Sequence, residues 1–352
     1  MKVITVVGAR PQFIKAAPVS KELRKYFDEK LVHTGQHYDD NMSKIFFEEL
    51  GIPLPEYNLK IGSAGHGKMT GEMLQKLEEI YIKEKPDCVL VYGDTNSTLA
   101  GALAASKLLI PVIHIEAGLR SFNKTMPEEQ NRILTDHISE LLLVPTKDAE
   151  KNLKNEGITK GVYNIGDVMY DAVLMFKEKS KERESLLNNL NIKPNEYILT
   201  TIHRAENTNS IDRLKNIIQA LNKSEETIVL PLHPRTKKFI NDYGLSFNEN
   251  IKVIEPIGYL DMLMLEANSK KIVTDSGGVQ KEAYFMGKPC ITMRDETEWI
   301  ETVEVGWNVI VGTDKDKITN AIKSFNPNGN QKLIFGDGKA AEKIAELIKK
   351  VL

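Results

Sequence analysis

The 352-residue chain is long for one hydrophobic core, so two domains are expected. Hydrophobic residues make up 41% and charged residues 27%, and 47 Lys+Arg against 49 Asp+Glu leave a net charge of −2, so no bulk basicity points to a nucleic acid or a membrane surface. No stretch approaches a membrane span, and Cys88 and Cys290 lie in separate apolar runs where buried free thiols are expected, as in a reducing cytoplasm.

The apolar run over 2–7 ends at Arg10 without a small-residue cleavage site, which predicts a first strand rather than a signal peptide. Gly8-Ala9-Arg10-Pro11 then leads into a helix near 12–25, with Pro11 suited to its opening. Arg10 and Lys15 stand there either as two cations facing an anion or as a loop cation and a solvated helix residue. The glycines do not follow G-x-G-x-x-G, so a nicotinamide cofactor is not expected. Strands near 30–34, 87–92, 111–116 and 141–145 alternate with helices near 41–50, 67–84, 96–109, 127–139 and 147–156, the rhythm of a doubly wound parallel sheet.

Chemistry collects at the predicted strand ends. Gly62-Ser63-Ala64-Gly65-His66-Gly67-Lys68-Met69 nearly matches a phosphate-binding loop, but Met69 replaces the hydroxyl that would hold magnesium, so a flexible glycine-rich loop is expected instead. Asp94, after Tyr92-Gly93, is either the N-cap of the next helix or a carboxylate for chemistry. Glu116, in His114-Ile115-Glu116-Ala117-Gly118-Leu119-Arg120, follows a strand of Val and Ile, where a carboxylate normally has a task. Met126-Pro127-Glu128-Glu129 opens a helix with two carboxylates in its first turn, where they suit the helix dipole as well as catalysis.

Around 163–174 the pattern pauses, then a charged helix runs to about 190. Strands near 197–202, 227–232, 251–255, 271–275, 289–293 and 308–311 describe a second α/β domain. An irregular connection over 326–332 precedes an amphipathic helix over 339–352. His203, with Arg204, and His233 leave adjacent strand ends, as structural histidines or as parts of a shared cleft. A metal is not expected, since neither a His-Glu-x-x-His, a zinc-spaced Cys pair nor an Asp-rich calcium loop occurs. In Thr274-Asp275-Ser276-Gly277-Gly278 a buried strand hands over to a helix through two glycines. That arrangement suits a phosphate or diphosphate, with Glu282 about one turn inside and able to accept from ribose hydroxyls.

The stretches GARPQFIKAAPV, HTGQHYD, VYGDTNSTLAGALAA, HIEAGLRS, MPEEQNR, TIHRAEN and TDSGGVQKEA, in this order and spacing, resemble the non-hydrolysing UDP-N-acetylglucosamine 2-epimerase family. The resemblance implies a GT-B architecture of two Rossmann-like doubly wound parallel-sheet domains with the UDP-sugar between them. The first is expected over 1–166, with the helix 339–352 returning to it, and the second over 167–338. It implies Asp94, Glu116, Glu128 and His203 in catalysis, with Arg10, Lys15, Arg204, Ser276, Gly277, Gly278 and Glu282 binding substrate. The C2 proton of a glycosyl nucleotide is not adjacent to a carbonyl, so its removal requires UDP to leave from C1 and give a bound glycal. Readdition with protonation on the opposite face then needs an acid/base on each side and no redox cofactor. UDP-GlcNAc and UDP-ManNAc are the expected pair, and domain closure is expected to assemble the site. Beyond the site, a homodimer, a cytoplasmic location and a place in polysaccharide biosynthesis are expected.

Some motifs depart from the familiar bacterial pattern. Gly8-Ala9-Arg10-Pro11-Gln12 stands for Gly-Thr-Arg-Pro-Glu, Ile257 and Met262 for Gln and Phe, and Thr297-Glu298-Trp299-Ile300-Glu301 for Thr-Glu-Arg-Pro-Glu. This variant resembles the branch containing epimerases of UDP-2,3-diacetamido-2,3-dideoxy-glucuronate, whose sugar carboxylate would call on Arg204, Arg294 or Arg120. Gln36-His37 is followed by Tyr38-Asp39 rather than the Arg-Glu of the family's regulatory site. A GT-B glycosyltransferase and a non-catalytic UDP-sugar regulator are the readings from other classes, and the set Asp94, Glu116 and Glu128 argues against both.

Overall fold

The computed structural model describes residues 1–35, 47, 50–62 and 64–352. The stretch Gln36-His37-Tyr38-Asp39 and most of the expected helix near 41–50 lie outside the described residues. The chain divides into two compact units, Met1–Ala172 with Leu333–Leu352, and Val173–Lys332.

Unit one is built on a seven-stranded parallel sheet in the order β3-β2-β1-β4-β5-β6-β7. Its centre is β1 (Lys2–Val7), β4 (Cys88–Tyr92) and β5 (Val112–Ile115), flanked by β2 (Asp28–His33), β3 (Tyr57–Asn58), β6 (Leu141–Val144) and β7 (Val162–Asn164). Residues of β4, β5 and β6 are buried throughout, as continuous apolar strands covered on both faces should be. The short strands β3 and β7 escape the sequence pattern because they are only two and three residues long and their side chains are half-exposed or exposed, so they leave no apolar run. The last helix, Ala340–Val351, belongs to this unit, where Asp171 accepts from the N–H groups of Ala340 (3.1 Å) and Ala341 (2.8 Å).

Unit two has a six-stranded parallel sheet in the order β10-β9-β8-β11-β12-β13. These strands are β8 (Ile198–Thr201), β9 (Ile228–Pro231), β10 (Ile251–Ile254), β11 (Lys271–Thr274), β12 (Cys290–Thr292) and β13 (Asn308–Ile310). In both sheets the strand order reverses beside the first strand of the unit, the place where doubly wound sheets take ligands. The pair of Rossmann-like sheets is the content of the GT-B class. Cys88 and Cys290 are buried free thiols. Among the described residues no helix is long and apolar enough to cross a membrane.

Register decides which residues meet. Val6 lies opposite Val91, and Tyr92 opposite Ile115, so the segments beginning at Gly8, Gly93 and Glu116 leave one edge side by side. In the second sheet Thr201 lies opposite Thr274, and Thr274 opposite Thr292, which brings the exits at Ile202, Asp275 and Met293 together.

Candidate active site

At the exit edge of the first sheet the carboxylates are held by cations. Lys15, projecting from helix Arg10–Leu23, donates from Nζ to Oε2 of Glu116, and both side chains are largely buried. Glu116 carries a left-handed backbone, φ +72°, a conformation costly for a residue with a side chain and common at working sites. Gly93, φ +61°, lies against it. A Cβ at Gly93 would stand 3.3 Å from Oε2 of Glu116, a tight contact, and the left-handed backbone itself favours glycine. Asp94 is bound through Oδ2 by Nη2 of Arg132, whose Nη1 donates to Glu129 at 2.9 Å. Arg132 thus joins the motif around Glu128 to the turn around Asp94. Its partners were readable only as an arginine at the end of MPEEQNR.

Two alternatives raised by the sequence are resolved here. Helix Asn96–Lys107 is capped by Thr95, whose hydroxyl accepts from Thr98 N–H at 3.3 Å, so the half-exposed Asp94 is not its cap. Of the two acids opening helix Pro127–Ile138, Glu129 turns inward and accepts from the N–H groups of Ser121 and Phe122, both at 2.9 Å. Glu128 stands exposed beside it. Arg10 is the exposed first residue of its helix.

Gln12 is the structural tie that the sequence did not announce. Its Oε1 accepts from Gly8 N–H (2.8 Å) and Ala9 N–H (3.0 Å), and its Nε2 donates to the Tyr92 carbonyl (2.7 Å) and to the hydroxyls of Thr95 and Thr98 (3.0 Å each). An amide fits this setting because an ionised carboxylate has no proton to give to a carbonyl.

Arg120 is not available to a substrate. Its buried guanidinium donates to Asp136 and Glu156, each at 2.7 Å, so the expectation of Arg120 as a sugar-carboxylate ligand is withdrawn. The stretch Gly62–Met69 is also not a loop throughout. Helix His66–Glu84 begins after Gly65, which puts Gly67, Lys68 and Met69 in its first turn, and Ser63 lies outside the described residues.

The second unit presents backbone. Asp275, fully buried after β11, accepts from His203 N–H and Arg204 N–H (3.1 Å each) and from Asn207 Nδ2 (3.1 Å). It fixes the loop after β8 and leaves the His203 ring exposed, its Nδ1 3.5 Å from Oδ1 of Asp275. His233 is the cap of helix Pro234–Asp242, its ring nitrogen accepting from Arg235 N–H. Helix Gly277–Phe285 is capped by Ser276, and its first turn is lined by Glu298. A Cβ at Gly277 would lie 2.5 Å from Oε1 of Glu298, so a side chain there would displace that carboxylate from its place on the helix end. Glu298 accepts from Arg294 at 2.7 Å and lies 3.6 Å from Arg204. Burial pushes its carboxyl up, but Arg294 and then Arg204 outweigh this and hold it below the ordinary range. Trp299 is buried beside it with the Lys281 ammonium 4.0 Å over its ring. Glu282 is buried one turn inside, and burial raises its carboxyl. Fully buried Glu266 is raised well above the usual range by burial and by Glu282.

Two strand-end clusters of this kind, one of acids held by cations and one of a helix end flanked by Arg204 and Arg294, are what a nucleotide-sugar enzyme needs. A family model described as UDP-N-acetylglucosamine 2-epimerase matches residues 21–349. The chain belongs to this family. It is 58% identical to the UDP-N-acetylglucosamine 2-epimerase homolog of Methanococcus maripaludis, with 99% of each chain covered. It is 51% identical to the UDP-2,3-diacetamido-2,3-dideoxy-D-glucuronate 2-epimerase of Pseudomonas aeruginosa, with 100% of each covered. Among solved structures, that of Methanocaldococcus jannaschii UDP-GlcNAc 2-epimerase in complex with UDP-GlcNAc and UDP is similar with a TM-score of 0.89 and 47% identity, covering 99% of this chain and all of that one. As a member of an epimerase family, the chain is an isomerase.

Proposed function

We propose that the protein interconverts UDP-GlcNAc and UDP-ManNAc by eliminating UDP and adding it back across a bound glycal. The observation that carries this reading is the cluster in the first unit: Glu116 held by Lys15 and Asp94 held by Arg132 at neighbouring strand ends. Carboxylates placed by cations can take a proton from C2 and return one. Glu128, on the helix that carries Arg132, is the further acid. Arg10 and Lys15 supply positive charge for the leaving diphosphate, with His203, Arg204 and the Ser276-Gly277-Gly278 helix end in the second unit. Glu282 serves the ribose. The enzyme is further proposed to act as a cytoplasmic homodimer, with its product entering polysaccharide biosynthesis. The test is incubation with UDP-GlcNAc alone. Appearance of UDP-ManNAc without an acceptor supports the reading, whereas turnover only in the presence of an acceptor would mark a transferase.

A second substrate is favoured by a specific observation. The chain is 51% identical to a diacetamido-glucuronate epimerase as well as 58% identical to a UDP-N-acetylglucosamine 2-epimerase homolog, and Trp299 replaces an arginine of the familiar pattern. Arg204 and Arg294, both beside Glu298, are the cations available for a sugar carboxylate. If that sugar is the substrate, its kcat/KM exceeds that of UDP-GlcNAc by about 10²-fold, and neutralising the responsible arginine narrows the ratio.

A further inference from the structure

His114, in the middle of β5, is fully buried and both of its ring nitrogens face acceptors. Nε2 lies 2.7 Å from the carbonyl oxygen of Gly93, which can only accept. Nδ1 lies 2.7 Å from Oδ1 of Asp136. The other oxygen of Asp136 already accepts from Arg120 at 2.7 Å and from Gly118 N–H at 3.1 Å, a donor set that suits an ionised carboxylate. Burial pushes the Asp136 carboxyl up, yet His114 and then Arg120 outweigh it and keep it below its ordinary range. With an ionised acceptor on one side and a carbonyl on the other, the ring satisfies both only when both nitrogens carry protons.

The surroundings agree with a charge that stays in place. β4 and β6, on either side, carry no charged residue, and helix Asn96–Lys107 carries its one charge, Lys107, at its far end. Helix Pro127–Ile138 supplies Asp136 and, two turns or fewer away, Arg132. The loop after β5 supplies Glu116, paired with Lys15, and Arg120, paired also with Glu156. The positive ring therefore sits between one buried anion and the turn Gly93-Asp94.

We propose that His114 is a standing imidazolium that acts as a positioning residue for Asp94 and Glu116, gripping the Gly93 carbonyl from beneath the turn. Gly93 directly precedes Asp94 and lies beside the Glu116 carboxylate, so a hydrogen bond from His114 to its carbonyl fixes the turn next to both acids, which Arg132 and Lys15 hold from their other sides. Their catalytic use rests on the epimerase reading, but the charge of the ring does not.

The charge is read first, by NMR of protein labelled with ¹⁵N-histidine. Both His114 nitrogens are expected in the protonated range in the native enzyme, because both face acceptors, and a single unprotonated ring nitrogen near pH 7.5 would overturn the proposal. The positioning role is read in His114→Gln and Asp136→Asn. His114→Gln is expected to lose about 10²-fold in kcat while UDP affinity, measured by calorimetry, stays within about 3-fold. Asp136→Asn keeps an acceptor but removes the anion, so His114 becomes free to lose its proton and kcat acquires a loss on the alkaline side that the parent lacks. A parent-like pH profile in Asp136→Asn, or near-parental kcat in His114→Gln, would sink the positioning role. Should His114→Gln fail to fold, the NMR signal and the Asp136→Asn profile decide it. Should neither UDP-sugar turn over in the parent, the epimerase reading fails while the ring measurement still decides the charge.

Discussion

In the first unit the exits of β1, β4 and β5 present side chains tied to one another, Lys15 to Glu116 and Arg132 to Asp94. In the second, Asp275 ties the exits of β8 and β11 by accepting the N–H groups of His203 and Arg204, and the first turn of helix Gly277–Phe285 is left to supply backbone donors. The two constructions suit different work. Moving a proton requires particular side chains at fixed places, whereas holding a diphosphate requires donors whose identity hardly matters. Substitutions should therefore strike turnover in the first unit and nucleotide affinity in the second.

The largest effect is expected from amides at the carboxylates. Asp94→Asn and Glu116→Gln should each lower kcat by about 10²-fold or more while binding UDP as the parent does. Glu128→Gln tests whether the exposed acid belongs with them, and near-parental turnover would remove it from the proposed set. Gly277→Ala attacks the other unit. Its methyl would meet Oε1 of Glu298 at 2.5 Å and displace that side chain from the helix end where the diphosphate is proposed to bind, so UDP affinity should fall by about tenfold with the protein still folded.

A smaller effect with the opposite sign is expected from Glu298→Gln. That carboxylate occupies the positive corner made by Arg294, Arg204 and the helix end, where it opposes a diphosphate. Removing its charge should tighten UDP binding several-fold, by about 1 kcal/mol, and titration calorimetry reads the change. Weaker binding would mean that Glu298 serves mainly to hold the two arginines.

The smallest effect lies away from both clusters. Burial pushes the Asp171 carboxyl up to about 6 from 3.8, although Ala341 and Ala340 N–H groups oppose it. The folded state thus keeps a proton that the unfolded chain has already lost, so stability falls as pH rises through this window and is flat above it. Asp171→Asn should remove that fall and raise the melting temperature near pH 7.5. A lower melting temperature there would show that the bonds to Ala340 and Ala341 outweigh the burial of charge.

Both sheets were legible because buried parallel strands read as apolar runs, as in Cys88–Tyr92 and Leu141–Val144 of the first and, more briefly, Ile272-Val273 of the second. The short edge strands were not, since Tyr57–Asn58 and Val162–Asn164 bury too little to leave a pattern. The same limit governed the site. Glu116 stood out as a carboxylate after an apolar strand, but Arg132, Asp275 and Gln12 look like ordinary helix or turn residues until register brings their partners close. Arg120 misled for the converse reason. Its place next to a motif suggested a ligand, while Asp136 and Glu156, distant in sequence, had already taken its donors.

Proton NMR of the enzyme with UDP-GlcNAc in deuterated water tests the central claim most directly. Elimination and readdition across a glycal place a solvent-derived proton on C2, so the UDP-ManNAc formed should carry deuterium there, and at equilibrium both sugars should have lost their C2 proton signal. Epimerised product that retains the original proton at C2 would contradict a mechanism built on Asp94 and Glu116 as acid and base.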